Sequence, residues 1–234
     1  MSIKSKLFGK AARPDPTSRF LETLKALGLA PGHIVDIGAN RGDWTRKASA
    51  IFPGANFTMF EPQEALSVHH YDLAAKPSVD IVYAGVGDRD GLASFTIHCR
   101  DDSSSFSYSK QQAREGGYQQ EEVRLHRLDS FMKNHHFGAP EIVKIDAEGF
   151  DLEVIDGAKE TLNTADVVFL EASVSNPQYR NSVLFVLQRM SDLGFKLFDI
   201  TDLNRAPKYG ALWLVELVFV RQSGEIASKA ATYA

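Results

Sequence analysis

Short apolar runs alternate with amphipathic stretches along most of the chain, and this alternation limits the folds open to it. The first run is HIVDI at 33–37, a helix-like segment begins near Asp43, and a second run, ANFTMFEP, ends at Pro62. Strand, helix and strand in that order are typical of a parallel sheet whose strands are joined by crossover helices. The sequence therefore predicts an α/β fold.

The same alternation continues to the end of the chain. The later predicted strands are VDIVYAGVG (79–87), PEIVKIDAEG (140–149), ADVVFLEAS (165–173), FKLFDITDL (195–203) and ALWLVELVFVR (211–221). Only a short turn region with Pro207 and Gly210 separates the last two, so they should pair antiparallel, because parallel strands need a long crossover. The prediction is a Rossmann-like, mostly parallel seven-stranded sheet with a reversed final strand.

A different pattern interrupts the alternation between the third and fourth strands. GLASFTIH at 91–98 and EEVRLHRLD at 121–129 indicate two further strands, and residues 100–120 between them are polar. We predict an inserted β-hairpin with a long connection, which is either a lid over a binding site or a structureless loop.

Composition and length predict a single domain at 17–222, with a flexible arm at 1–16 and a tail at 223–234. The net charge of -4 argues against general nucleic-acid binding. The single cysteine, Cys99, fits a reducing compartment. Without an apolar run long enough for a bilayer span or a signal peptide, we expect a cytoplasmic protein with no integral membrane association. The oligomeric state stays open.

The turn after the first strand, GANRG at 38–42, is rich in glycine. Glycine lets the backbone approach a ligand closely, and the helix that starts at Asp43 offers free N–H groups. Counted from Gly38, however, the dinucleotide fingerprint is broken at Asn40 and Asp43, and the lysine of a phosphate-binding loop is missing. Phosphate binding is therefore disfavoured.

Two acids near this turn suggest a nucleoside ligand. Glu61 ends the second strand, where a carboxylate can accept both hydroxyl hydrogens of a ribose. Asp36 lies inside the first strand, and it should either anchor the turn through backbone N–H groups or reach a cofactor's ammonium through water. A nicotinamide dinucleotide and S-adenosylmethionine remain, and the broken fingerprint favours the second. The alternative is an ordinary turn with a solvated acid at the strand end.

Five segments resemble the FkbM family of methyltransferases in order and spacing. They are VDIGANRGDWT (35–45), FEP (60–62), VGDRDGLASF (86–95), LDSF (128–131) and VKIDAEGFDLEVIDGA (143–158). The resemblance implies a class I methyltransferase fold with S-adenosylmethionine as cofactor. It also implies methyl transfer to oxygen, often on a sugar hydroxyl or a hydroxyl of a secondary metabolite.

The resemblance also assigns cofactor contacts. Those implied for the methionine end are Asp36, Gly38, Asn40 and Gly42, that for the ribose is Glu61, and those near the adenine are Val86 to Asp88. The preceding residues read YAG at 83–85, where an asparagine-alanine pair is more usual.

The segment VKIDAEG carries the candidate chemistry of methyl transfer, which requires alignment of the acceptor and removal of a hydroxyl proton. Alternation places Lys144 and Asp146 on one side of the strand. Asp146 could act as a general base, bind a sugar hydroxyl, or ligate a divalent ion with Glu148, while Lys144 keeps it ionised. The alternative is a structural Lys–Asp pair and a helix-start acid. Glu171, which closes the fifth strand, is a second candidate base or hydroxyl binder.

A metal ion is possible at these acids but not indicated, and no spacing among the histidines and Cys99 resembles a zinc site. Histidines 69, 70, 135 and 136 are expected at the surface, and Trp213 is expected to pack structurally.

We expect a small-molecule or glycan hydroxyl as the acceptor, with the serines and aromatics of 103–118 facing it. His98 and His126 border this polar segment and could face the acceptor; the alternative for His126 is an exposed strand position. Two alternative functions remain: a nicotinamide-dependent oxidoreductase, disfavoured by the missing Tyr-x-x-x-Lys pair, and an inactive nucleoside-binding scaffold.

Overall fold

Ten strands and ten helical segments make up the regular structure of residues 15–99, 103–175 and 180–229, which the computed structural model describes. The strands are β1 (His33–Ile37), β2 (Asn56–Phe60), β3 (Val79–Val82), β4 (Gly85–Val86), β5 (Gly91–Ile97), β6 (Gln119–His126), β7 (Ile142–Ile145), β8 (Val167–Ser173), β9 (Phe195–Arg205) and β10 (Leu212–Arg221). The α-helices are α1 (Pro16–Ala26), α2 (Asp43–Ile51), α3 (Tyr71–Ala74), α4 (Lys110–Gly116), α5 (Leu128–Met132), α6 (Asp151–Asp156), α7 (Lys159–Leu162), α8 (Val183–Asp192) and α9 (Glu225–Lys229). A 3-10 helix covers Glu64–His69.

The main sheet has seven strands in the order β3-β2-β1-β7-β8-β10-β9. The first five strands of this order pair in parallel, and β10 runs antiparallel to both β8 and β9. The predicted α/β fold with a reversed final strand is therefore confirmed. Every residue of β1 is buried, as expected for a central strand covered by helices on both faces.

Two apolar cores cover the two faces of the sheet. Val35 and Ile37 of β1 face a core that includes residues of α6 and α8, whereas Ile34 faces a core that includes α1 and α2. This separation follows from the two-residue period of a strand, which sends successive side chains to opposite faces. It also leaves Asp36, on the same face as Ile34, fully buried.

The insertion between β3 and β7 forms a second sheet of three strands, in the order β4-β6-β5. The predicted hairpin is confirmed as the antiparallel pair β5 and β6. The predicted third strand, 79–87, is not continuous, because its last residues leave the main sheet as β4 and pair with β6.

The polar connection of this hairpin contains a helix, so the structureless alternative is wrong for Lys110–Gly116. Ser109 and Gln112 form a reciprocal capping box, and Gly117 ends the helix in the left-handed region at φ +67°. Ala113 is the buried residue of this helix. The apolar spacing that predicts most helices is therefore missing here, and local capping stabilises it instead.

The chain ends are only partly described. Asp15 caps α1, and α9 lies within the predicted tail. Residues 1–14 of the predicted arm, 100–102 of the polar connection and 230–234 of the tail lie outside the described residues. Within the described part of the chain, no helix combines the length and the apolar character needed to cross a bilayer.

Candidate active site

A cleft of about 580 Å³, part of it open to solvent, lies at the carboxyl ends of β1, β2 and β7. The strand order reverses between β1 and β7, which is where open α/β sheets bind their ligands. The lining residues are Ile37, Gly38, Asn40, Phe60, Glu61, Pro62, Gln63, Ala84, Gly85, Val86, Phe95, Ser104, Phe106, Asp146, Ala147 and Glu148. The fold thus collects six of the predicted site residues in one cleft.

Glu61 links the turns that follow β1 and β2. Its Oε2 accepts a 2.8 Å hydrogen bond from the Asn40 N–H, and its Oε1 accepts one of 2.8 Å from the Gln63 N–H. Burial raises the pKa of Glu61, although the two backbone N–H groups act in the opposite direction. The Gln63 side-chain amide also donates to Oε1, at 3.3 Å. Since a carboxylate has about four lone-pair sites, roughly one remains for a ligand, and a second becomes free where the ligand displaces this amide.

Asn40 has left-handed backbone geometry, with φ +46°. Its side-chain oxygen accepts the Arg41 N–H at 2.8 Å, and its backbone oxygen lies 2.6 Å from Nε2 of His70. His70 is 1% exposed, so the expected surface position is wrong for this histidine. His70 stabilises the turn through its contact with the Asn40 oxygen. Sequence reasoning missed this role, because no apolar spacing distinguishes His70 from its exposed neighbour His69.

The glycines Gly38 and Gly42 allow other parts of the protein to pack closely against the turn. A Cβ at Gly38 would overlap the backbone oxygen of Asp146, so the turn after β1 packs directly against the turn after β7. A Cβ at Gly42 would lie 2.6 Å from Leu73 Cδ1. Gly42 itself does not line the cleft. Both glycines have positive φ, which a side chain would strain.

Replacing Gly38 with alanine should destabilise the fold by at least about 2 kcal/mol, because strain at positive φ adds to the overlap with Asp146. Urea unfolding measures this loss. Gly54→Ala is the matched control, since no atom lies within 4 Å of a Cβ built there. Equal stability of the two variants would contradict the close packing of these turns.

Lys144 connects Asp36, Asp146 and the glycine turn beneath the cleft. Its Nζ lies 3.0 Å from Asp146 Oδ2 and 3.5 Å from Asp36 Oδ1, and it donates to the Gly38 oxygen at 3.3 Å. Burial alone lowers the pKa of Lys144, but the two carboxylates outweigh it and raise that pKa. The ammonium therefore stays charged and holds the turn.

Asp36 does not anchor the turn through backbone N–H groups, and that expectation is wrong. Its Oδ2 accepts a 2.7 Å hydrogen bond from the Thr45 hydroxyl on α2, while its Oδ1 faces Lys144. The side chain is fully buried and does not line the cleft. Its contact with the turn runs through Lys144.

A second cavity, about 1310 Å³ including its opening to solvent, adjoins the cleft at Glu148, which lines both. Its lining residues are His98, Ser103, Ser107, Tyr108, Gln112, Glu148, Gly149, Glu171, Ser173, Asn181, Trp213 and Leu214. Trp213 is 51% exposed, so the expected structural packing is wrong for this residue. The segment 103–118, which was predicted to face the acceptor, contributes residues to both spaces. Ser104 and Phe106 line the cleft, whereas Ser103 and Tyr108 line the second cavity.

Three carboxylates meet between the two spaces. One oxygen each from Asp146, Glu148 and Glu171 lies within 4.8 Å of the others, a set that could hold a hard divalent cation. Burial first, and then the charges of Asp146, Glu148 and Asp151, raise the pKa of Glu171 to about 10. Glu171 therefore carries a proton at neutral pH. It can donate a hydrogen bond but cannot act as a base.

Asp151 fixes the backbone that carries Glu148. Its carboxylate accepts the Ala147 N–H at 3.1 Å and the Gly149 N–H at 3.0 Å, and the Asn181 amide donates to it at 2.8 Å. Glu148 itself has φ +50°, a left-handed conformation held by these bonds. Sequence reasoning missed Asp151 and Asn181, although an acid at a helix start is a usual signal for a turn anchor.

The pKa of Glu171 predicts a pH-dependent stability. Between the ordinary value of 4.5 and about 10, the folded protein holds a proton that the unfolded chain has lost, so stability falls as the pH rises. The stability advantage of Glu171→Gln over the parent protein should therefore grow by roughly 1 kcal/mol per pH unit, or about 2–3 kcal/mol in all, between about pH 6 and pH 8. Urea unfolding with a chelator present measures the difference. A difference that is constant with pH would contradict the assignment.

Asp88 and Gly42, both predicted cofactor contacts, do not line the cleft either. Asp88 pairs with Arg89 at 2.9 Å at the surface, and Gly42 is the N-cap residue of α2. Val86, predicted near the adenine, does line the cleft. His98 lines the second cavity and contacts the Tyr118 hydroxyl at 3.1 Å, whereas His126 pairs with Asp90 at 3.7 Å.

The parallel sheet, its reversed strand and the cleft at the switch point define the Rossmann-like fold of class I methyltransferases. Residues 36–197 match the family model described as the methyltransferase FkbM domain. The match spans well over half of the chain, and the protein belongs to the FkbM family of S-adenosylmethionine-dependent methyltransferases. Membership of this family argues against the nicotinamide-dependent alternative.

Two solved structures share the fold. The methyltransferase FkbM from Methylobacillus flagellatus KT is 14% identical with a TM-score of 0.51, over 79% of this chain and 43% of that one. This chain thus spans less than half the length of that protein. The precorrin-6y C5,15-methyltransferase from Geobacter metallireducens GS-15 is 15% identical with a TM-score of 0.50, over 94% and 92% of the two chains. Comparison with curated protein sequences finds no match.

Proposed function

We propose that the protein transfers a methyl group from S-adenosylmethionine to a hydroxyl of a saccharide or a secondary metabolite. One observation carries the proposal: the cleft at the strand ends and the larger polar cavity share Glu148, and Asp146 lies beside this junction in the cleft. A donor in the cleft and an acceptor in the cavity would meet there.

The residues of the cleft fit this cofactor. Glu61, Asp146 and Glu148 are acidic, and neither lysine nor arginine occurs among the described residues that line the cleft. Their negative charge favours a sulfonium and an α-ammonium over a pyrophosphate. When bound, S-adenosylmethionine supplies an electrophilic methyl group.

Each part of the cofactor has a matching partner in this arrangement. Glu61 would receive the ribose hydroxyls. Apolar side chains, those of Phe60, Val86, Phe95 and Phe106, would enclose the adenine. The turn from Gly38 to Asn40 would face the methionine end.

The chain contributes a base and a fixed geometry to the reaction. Asp146 would accept the proton that the acceptor hydroxyl loses when the bound cofactor supplies the methyl group. Lys144, 3.0 Å away, holds the Asp146 carboxyl group in position. Glu171, which carries a proton, donates a hydrogen bond to a second oxygen of the acceptor and so helps to place it.

The second cavity favours a polar acceptor. Hydroxyls and amides, from Ser103, Ser107, Ser173 and Gln112, alternate with the aromatic rings of Tyr108 and Trp213. Such a surface can hydrogen-bond sugar hydroxyls and also cover an apolar face of the ring. These features support a saccharide or a similarly hydroxylated metabolite.

The test uses S-adenosylmethionine labelled with carbon-13 on its methyl group and a set of hydroxylated acceptors. We expect a methyl ether in the carbon–proton correlation spectrum, together with one equivalent of S-adenosylhomocysteine. A labelled methyl group on nitrogen or carbon would contradict the assignment to oxygen. Binding of the cofactor without turnover of any acceptor would instead favour the inactive scaffold. Parallel reactions with a chelator determine whether the three carboxylates need a cation.

A further inference from the structure

A second cluster of ligating side chains lies at the opposite edge of the main sheet. Asp80 is the second residue of β3, and His135 and His136 follow α5. The strands β1, β2 and β3 are parallel, so their starting residues share the edge that faces away from the cleft. The cluster therefore plays no part in the proposed methyl transfer.

The three side chains converge on one point. Nε2 of His135 lies 3.1 Å from Asp80 Oδ2, Nε2 of His136 lies 3.6 Å from the same oxygen, and the three candidate ligand atoms lie within 4.8 Å of one another. Zinc bonds of 2.0–2.1 Å in a tetrahedron place neighbouring ligand atoms about 3.3 Å apart. The observed separations bracket that value.

One of these ligands is held rigidly. The His135 side chain is 7% exposed, and its ring stacks on His33 at 5.4 Å and on Phe131 at 5.3 Å between centroids. His33 is fixed in turn by the Gly138 oxygen and the Thr58 hydroxyl, both at 2.9 Å. The imidazole that faces Asp80 is therefore positioned before any ion arrives.

The other two ligands leave a route for an ion. The side chains of Asp80 and His136 are 37% and 65% exposed. Two imidazoles and one carboxylate suit Zn²⁺, whereas hard ions such as Mg²⁺ prefer oxygen alone. Water would complete the coordination.

We propose that Asp80, His135 and His136 form a zinc site at the amino-terminal edge of the sheet. Binding moves the proton on His135 Nε2 to Nδ1 and replaces the contact with Asp80 by two bonds to the metal. It also gives up a weak 3.4 Å contact from the Phe137 N–H to Nδ1. The ion would link the segment 133–141 to β3 and so stabilise this edge of the sheet. This segment directly precedes β7, which contains Lys144 and is followed by Asp146.

The test is equilibrium dialysis of the full chain, free of any histidine tag, against Zn²⁺, with the bound metal measured by mass spectrometry. A Glu171→Gln background reduces zinc binding at the other candidate group of ligands, Asp146, Glu148 and Glu171. We expect about one zinc ion per chain in this background, and affinity about tenfold or more weaker after His136→Ala or Asp80→Asn. His136 is exposed, so its replacement should leave the fold intact.

His126→Ala is the matched control, because His126 also faces an aspartate, Asp90, at 3.7 Å but belongs to no three-ligand group among the described residues. It should retain the zinc and the rise in Tm that zinc produces. The proposal is overturned by the absence of stoichiometric zinc, or by equal zinc affinity in the background protein and the His136→Ala variant. Neither outcome bears on methyl transfer, which is tested separately.

Discussion

Asp146→Asn should lower the rate of methyl transfer by about 100-fold or more, the usual contribution of a positioned general base. The asparagine keeps the size of the side chain and an oxygen toward Lys144, but it cannot take up the hydroxyl proton. Binding of S-adenosylhomocysteine should stay within a few-fold of the parent protein. The loss should therefore fall on kcat, measured with the labelled methyl donor and an identified acceptor.

The matched control is Asp192→Asn, which removes one carboxylate at the exposed end of α8. This variant should transfer methyl groups at the parent rate. Urea unfolding of both variants separates a chemical defect from a loss of folding. An Asp146→Asn enzyme with full kcat would exclude Asp146 as the base and leave Glu148 as the remaining carboxylate at the junction.

Glu61→Gln should weaken S-adenosylhomocysteine binding by about 2–3 kcal/mol, or roughly 30- to 150-fold in Kd. The carboxylate accepts the backbone N–H groups of Asn40 and Gln63 and the Gln63 side-chain amide, and about one lone-pair site remains free for the ribose. An amide offers a single acceptor oxygen, and its NH₂ group faces one of those backbone donors. Titration calorimetry measures the change directly.

Glu64→Gln is the control for this variant, since Glu64 is exposed and begins the neighbouring 3-10 helix. Its Kd should match that of the parent protein. If Glu61→Gln bound the nucleoside as tightly as Glu64→Gln, the ribose would have to lie elsewhere. A preserved melting temperature in both variants keeps the comparison free of folding defects.

Sequence reasoning predicted the cleft because the rules that place it are local. A strand with a two-residue period puts Lys144 and Asp146 on one side, and the carboxyl ends of parallel strands meet at one edge of a sheet. The turn after β1, Glu61 after β2 and Asp146 after β7 therefore had to lie close together. The family motifs supplied the cofactor and the reaction.

The features that were missed depend on contacts distant in the sequence. Asp80 and His135 are 55 residues apart, and no spacing rule joins them. The proton on Glu171 depends on carboxylates from other segments, and the buried position of His70 depends on its bond to Asn40. The sequence predicted that Asp36 would bind the backbone of the glycine turn. In the structure Lys144 makes this contact instead, through the Gly38 oxygen.

The proposed methyl transfer requires the cofactor to lie in the cleft at the strand ends. A crystal structure with bound S-adenosylhomocysteine tests this position most directly. We expect the ribose hydroxyls on the Glu61 carboxylate, the adenine among Val86, Phe95 and Phe106, and the sulfur directed toward Asp146. A nucleoside bound outside this cleft, or a sulfur atom directed away from the junction with the second cavity, would contradict the account.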